Sequence, residues 1–146
     1  MITVSRDMAC APQAVLDVLA DGWTYATWVV GTSRIRGVDP TWPAPGARIA
    51  HSFGVWPAVI DDTTVARAWD PAGTIEVQAR GWPAGEARVR IAVRERPGGG
   101  CTVRMSEDAV RGPGTLVPRF LRHAVLVPRN TESLRRLASL AEGRPA

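Results

Sequence analysis

Between residues 47 and 109 the sequence alternates apolar and polar side chains through six short segments, each closed by turn-forming residues. No other feature restricts the fold as much. The segments are 47–55, 58–60, 64–69, 74–80, 87–96 and 102–109, separated by Asp61-Asp62, Pro71-Ala72-Gly73, Pro83-Ala84-Gly85 and the stretch 97–100. A period of two marks half-buried strands, and connections this short make consecutive strands antiparallel neighbours in a meander. Pro57, which has no N–H for a ladder, needs an edge or a bulge.

The flanking segments follow other periods. Ile2–Met8 alternates and predicts an opening strand, with Arg6 on its apolar side. Pro12 starts a helix whose apolar face is Val15, Leu16, Val18 and Leu19, ended by Asp21-Gly22. Residues 23–30 predict a second short helix closed by Gly31, and 33–38 is again extended before a loop with Pro40, Pro43, Pro45 and Gly46. After Gly112-Pro113-Gly114 the period becomes helical, with Val127, Asn130, Leu134, Leu137 and Ala141 on one stripe and Pro128 expected to kink or divide the helix. A run of strands followed by a helix reads as α+β: a curved antiparallel sheet of about seven strands, with two short helices between the first and second strands, wrapped around a long C-terminal helix. A sheet curled around one helix can leave a cavity beneath it.

Composition bounds the chemistry. The 146 residues, 45% hydrophobic and 22% charged, are enough for one domain spanning 1–146. No membrane-spanning run or signal-peptide pattern is visible, so a cytoplasmic location is expected. All 18 basic residues are arginine, against 14 acids, for a net charge of +4. Without lysine there is neither Schiff-base chemistry nor a Walker A loop. The arginines alternate with acids instead of forming blocks, which argues against nucleic acid as a partner. Cys10 and Cys101 form no C-x-x-C, and His51 and His123 are the only histidines, so no metal and no cofactor is expected. Gly98-Gly99-Gly100 lies between two alternating segments and reads as a hairpin turn.

Three segments carry a family likeness: the opening strand running into Ala11-Pro12-Gln13-Ala14-Val15-Leu16-Asp17-Val18-Leu19, the stretch Pro45-Gly46-Ala47-Arg48-Ile49, and Arg129-Asn130-Thr131-Glu132-Ser133-Leu134-Arg135-Arg136-Leu137. With the order of elements they make the chain resemble, over nearly its whole length, the SRPBCC superfamily. This is the helix-grip fold of polyketide cyclase/dehydrase-like proteins, START lipid-transfer domains and birch-pollen-allergen-like proteins. The resemblance implies a cavity between sheet and C-terminal helix that holds lipids, sterols or polyketides, with aromatisation or cyclisation there in some members. The chain departs from the cyclase members in having a single tyrosine, Tyr25, on an early helix, and no cyclase motif maps onto it residue by residue.

Strand parity nominates the cavity residues. If Val103, Met105 and Ala109 face inward, so does Glu107, and Arg6 on the neighbouring first strand is expected to pair with it, either as an internal salt bridge or as an anchor for a ligand head group. The same register brings Cys10 near Cys101, as reduced thiols. His51 alternates with Ile49 and Phe53 on an apolar face; it is a candidate acid or base, as is Glu107, or else a satisfied wall residue. His123, Val127 and Asn130 share a helical stripe facing the cavity. Of six tryptophans, three precede prolines (Trp42-Pro43, Trp56-Pro57, Trp82-Pro83) and read chiefly as packing at the sheet ends; Trp28, Trp56 and Trp69 are the candidates beside the cavity. Arg88, Arg90, Arg94, Arg96 and Arg104 fall on the outer face. The expected ligand-binding set is therefore Trp28, His51, Phe53, Trp56, Trp69, Met105, Glu107, His123, Val127 and Asn130, for a hydrophobic or aromatic small molecule bound by a monomer or homodimer. The alternatives are a cyclase/dehydratase-type enzyme working through His51 or Glu107, and an interaction protein using its basic outer sheet face. The loop at Gly112-Pro113-Gly114 and a kink at Pro128 are candidate gates.

Overall fold

The computed structural model describes residues 1–81 and 85–143. The expected turn at Pro83-Ala84 and the Trp82-Pro83 pair lie outside these residues. Seven strands form one antiparallel sheet: β1 (Ile2–Met8), β2 (Thr32–Val38), β3 (Arg48–Phe53), β4 (Ile60–Asp70), β5 (Thr74–Gly81), β6 (Gly85–Glu95) and β7 (Cys101–Arg111). Their order across the sheet is β1-β7-β6-β5-β4-β3-β2, so the meander runs from β2 to β7 and closes on β1, as the short connections require. Between β1 and β2 lie α1 (Pro12–Ala20) and α2 (Tyr25–Trp28), joined by one 3-10 turn, and the chain ends in α3 (Arg119–Gly143). This is the helix-grip arrangement.

Three local expectations are corrected. Asp61-Asp62 is not a turn: segments 58–60 and 64–69 belong to the single strand β4, and the chain reverses at residues 54–59 instead. Both aspartates are held by partners from other strands, Asp61 accepting from Ser52 Oγ (2.7 Å) and Asp62 lying 3.6 Å from Arg80 Nε. Pro128 neither ends nor divides α3, which runs unbroken through it. The carbonyl of Ala124, four residues earlier, loses its partner N–H but lies on an exposed part of the helix. Finally, Arg6 stands opposite Val103 on the edge strand and is exposed, while Glu107 stands opposite Ile2, four residues or roughly 13 Å along the ladder. The expected Arg6–Glu107 pair does not form.

The two halves of α3 differ in what they cover. From Asn130 onward one face is buried through Ser133, Leu134, Leu137, Ala138 and Ala141, packed with Val15, Val18 and Leu19 of α1 and Val103 and Met105 of β7 in one hydrophobic core. Each fully buried leucine contributes about 2 kcal/mol by its removal from water. Before Asn130 the helix carries exposed Phe120, Leu121 and Val125. The C-terminal half is thus the plug of the core, and its N-terminal half roofs an unfilled space.

Candidate functional site

That space is a cavity of about 570 Å³, within the range that holds a small organic ligand. Its floor is the inner sheet face, through Ile49, His51 and Phe53 of β3, Thr64 of β4, Val77 and Ala79 of β5, Val89 and Ile91 of β6, and Met105, Glu107 and Ala109 of β7. The roof is α3 from Leu121 to Ser133, and α2 closes one side with Tyr25 and Trp28. Period-two alternation in five adjacent strands puts this apolar surface on one side of the sheet.

Two groups of polar side chains interrupt the apolar wall. In the first, Glu107 Oε1 accepts from Asn130 Nδ2 (3.2 Å) and Arg129 Nη1 (3.3 Å), Arg129 Nε donates to the Val30 carbonyl (3.1 Å), and Ser133 Oγ accepts from Val30 N–H (3.1 Å). This strap ties β7, α3 and the end of α2 together. The charge partner of Glu107 is Arg129 from the helix above it. In the second group His51, 6% exposed, places Nε2 3.0 Å from Thr64 Oγ1, while its Nδ1 is buried with no hydrogen-bond partner. Burial lowers its pKa from 6.5, against the opposing pull of the Asp62 carboxylate, so the ring is neutral at physiological pH. Trp28 Nε1 is likewise buried without a partner. At the mouth, Arg122 donates from Nη1 to Asp108 (3.2 Å) and leaves Nε buried and unpartnered.

The structure gathers Trp28, His51, Phe53, Met105, Glu107 and Asn130 on this one cavity and leaves Trp56, Trp69, His123 and Val127 off its wall. Trp56 is 84% exposed on the β3–β4 loop. A register shift in β4, between Ala66 and Ala68, turns Trp69 to lie opposite Ile75 at the far end of the sheet, against the core. On α3, Arg122, Leu126, Arg129 and Ser133 are among the lining positions, and His123 and Val127 are not. Arg129 and Ser133 were not among the residues nominated from the sequence. Their shared period with Leu126 was the available signal.

Elsewhere, Cys10 and Cys101 are free thiols, and burial raises the pKa of both, Cys101 to about 11. Arg88, Arg90, Arg94, Arg96 and Arg104 are exposed, with Arg88 3.3 Å from Glu76 and Arg96 3.8 Å from Asp7. Among the described residues no group of three His, Cys, Asp or Glu is placed to hold a metal ion. Among the described residues no helix is long and apolar enough to cross a membrane.

Comparison with known proteins agrees with this architecture. A protein from Nitrosomonas europaea superposes with a TM-score of 0.72 at 14% identity, covering 96% of this chain and 92% of its own. Ara h 8.0201 gives 0.71 at 12% identity over 97% of both chains, and the Zhui aromatase/cyclase from Streptomyces sp. R1128 gives 0.69 at 16% identity over 97% of this chain and 92% of its own. At these identities the likeness is one of fold. No curated protein matches the sequence. The model of one sequence family, described as "Polyketide cyclase / dehydrase and lipid transport", matches residues 1–142. Seven strands gripping one long helix over a cavity, together with a family match across almost the whole length, make this chain a member of the polyketide cyclase / dehydrase and lipid transport family, with the helix-grip fold of the SRPBCC superfamily.

Proposed function

We propose that the protein binds an apolar small molecule carrying an oxygen acceptor, such as a ketone, in the cavity beneath α3. The observation that carries this reading is the pair of unpartnered ring nitrogens, Trp28 Nε1 and His51 Nδ1, buried in the wall of that cavity. An orphaned buried donor costs about 1–3 kcal/mol, and a ligand oxygen that meets it recovers that cost. Indole N–H only donates, so it selects an acceptor; the neutral imidazole adds a donor or an acceptor according to its tautomer. Glu107 and Arg129, already engaged with each other, hold the roof to the floor and leave the apolar body of the ligand to be bound by burial, worth about 25 cal/mol per Å² before the costs of association.

The test is calorimetry with paired ligands that share a hydrocarbon skeleton and differ in one carbonyl. The ketone is expected to bind about tenfold more tightly, and Trp28→Phe, which keeps an aromatic ring and loses the N–H, is expected to shrink that ratio. Equal affinity for both members, or binding of neither, sinks the proposal.

A cyclase-type reaction is the second reading. It is favoured by the neutral ring and unpartnered Nδ1 of His51, which offer a nitrogen lone pair to a proton on carbon next to a bound carbonyl when Nε2 carries the ring hydrogen. Turnover lost in His51→Gln with ketone affinity retained within severalfold supports it; turnover unaffected by that substitution overturns it.

A further inference from the structure

Among the described residues, ten large apolar side chains are exposed, and nine of them lie at one end of the molecule. The sheet register defines that end. Phe53 closes on Ile60 across the β3–β4 reversal, Glu86 stands opposite Arg111, and Ile2 stands opposite Glu107. The β3–β4 loop, the start of β1 and the segment from β7 into α3 therefore all project from the same edge. On them sit Met1, Val55 and Trp56 (82% and 84% exposed), Val59, Leu116 (84%), Val117, Phe120 (71%), Leu121 and Val125. Only Trp23 lies elsewhere. Exposed apolar groups concentrated this way mark an interaction surface.

We propose that this end docks on the surface of an anionic lipid bilayer. Its uncompensated charge is positive and is carried by Arg119, since Arg122 and Arg129 face Asp108 and Glu107. Residues 54–60 contain no charged side chain, and residues 112–131 contain Arg119, Arg122, His123 and Arg129 with no acid. The acids set further back are each taken up by arginine: Asp61 by Arg36, Asp62 by Arg80, Glu86 by Arg80 and Arg111, Asp108 by Arg122. Arg119 donates to the Met1 carbonyl, a neutral partner, and keeps its charge. Tryptophan, phenylalanine and leucine beside arginine are the side chains that settle at the boundary between lipid headgroups and acyl chains. The apolar groups stand on separate protruding segments, a shape suited to a deformable lipid surface. The same surface leads into the cavity, since Val117, Leu121 and Val125 also line it. An apolar ligand can then pass from bilayer to cavity without crossing water.

Docking is independent of what the cavity binds, and the test keeps the two apart by altering only residues off the cavity wall. The intact protein is sedimented with vesicles of phosphatidylcholine alone and of equal parts phosphatidylcholine and phosphatidylglycerol, across a salt series. Binding to the mixed vesicles is expected, weakened by salt and about fivefold weaker in Arg119→Gln. Trp56→Ser combined with Phe120→Ser is expected to weaken it at least tenfold, with the calorimetric affinity for small ligands retained. No binding to the mixed vesicles, or binding that those substitutions leave unchanged, overturns the proposal. So does a dimer in analytical ultracentrifugation that the double variant dissolves, since a second copy then covers the surface.

Discussion

His51 shows how one residue carries both a stability term and a chemical option. Its burial favours the neutral ring, so its folded pKa lies below the 6.5 of the free side chain. The sign follows from proton counting. Above pH 6.5 both folded and unfolded chains hold a neutral ring, and the stabilisation is fully present; as pH falls from 6.5 toward the lowered folded value, the unfolded chain binds the proton first and stability drops. Urea denaturation at intervals from pH 8 to pH 5 is expected to show a loss in the wild type that His51→Gln lacks, with a slope of less than one proton. Identical pH profiles contradict the neutral, buried assignment. At this scale the sequence was partly legible. Alternation with Ile49 and Phe53 put His51 inside, but nothing local identified Thr64 as its partner, because that contact spans two strands. The same parity places Glu107 inside but fixes neither the register, which sets Arg6 four residues away along the ladder, nor which arginine the helix lowers onto the sheet.

Turns, bulges and helix faces are decided at the scale of elements. The β6–β7 hairpin carries Gly98, Gly99 and Gly100, all at positive φ, but the three are not equivalent. A methyl group at Gly98 (φ +88°) meets nothing within 4 Å, whereas at Gly100 (φ +76°) it lies 2.5 Å from the main-chain oxygen of Met8. Gly98→Ala is expected to cost about 1 kcal/mol from backbone conformation alone. Gly100→Ala adds a collision with the end of β1 and is expected to cost about 2 kcal/mol or more. Thermal denaturation of the two variants checks the order, and equal losses refute the close approach. The glycine run identified the hairpin from sequence because backbone freedom is a local property. The long-range consequences were not local: the shift in β4 that redirects Trp69 depends on how β4 and β5 align, and Asp61-Asp62 looks like a turn until Ser52, Arg36 and Arg80 are brought beside it. On α3 the buried stripe Asn130, Leu134, Leu137 and Ala141 was readable from its period. The stripe over the cavity was not, because a helix roofing an open space has no packing to enforce an apolar face.

For the whole molecule, the cavity sets stability against binding. The core under the C-terminal half of α3 is filled, but the wall under its N-terminal half lacks the partner atoms that close packing would supply, so this part of the fold is less stable than its apolar content allows. Val89 is half-buried on the cavity floor, opposite both Val77 and Glu107. A larger side chain there fills empty space without displacing the Leu134–Leu137 core. Val89→Phe is therefore expected to stabilise the unliganded protein by about 1 kcal/mol, while small-molecule affinity falls at least tenfold as the cavity shrinks. Ligand added in large excess should stabilise the wild type by about 2.7 kcal/mol at one hundred times its dissociation constant, and the variant hardly at all. Paired thermal melts with and without ligand read both effects at once. A variant that loses stability without ligand shows the cavity too tightly bounded to accept a ring. One that gains stability and still binds moves the ligand away from the β6 floor, toward the side of the cavity walled by α2 and β3.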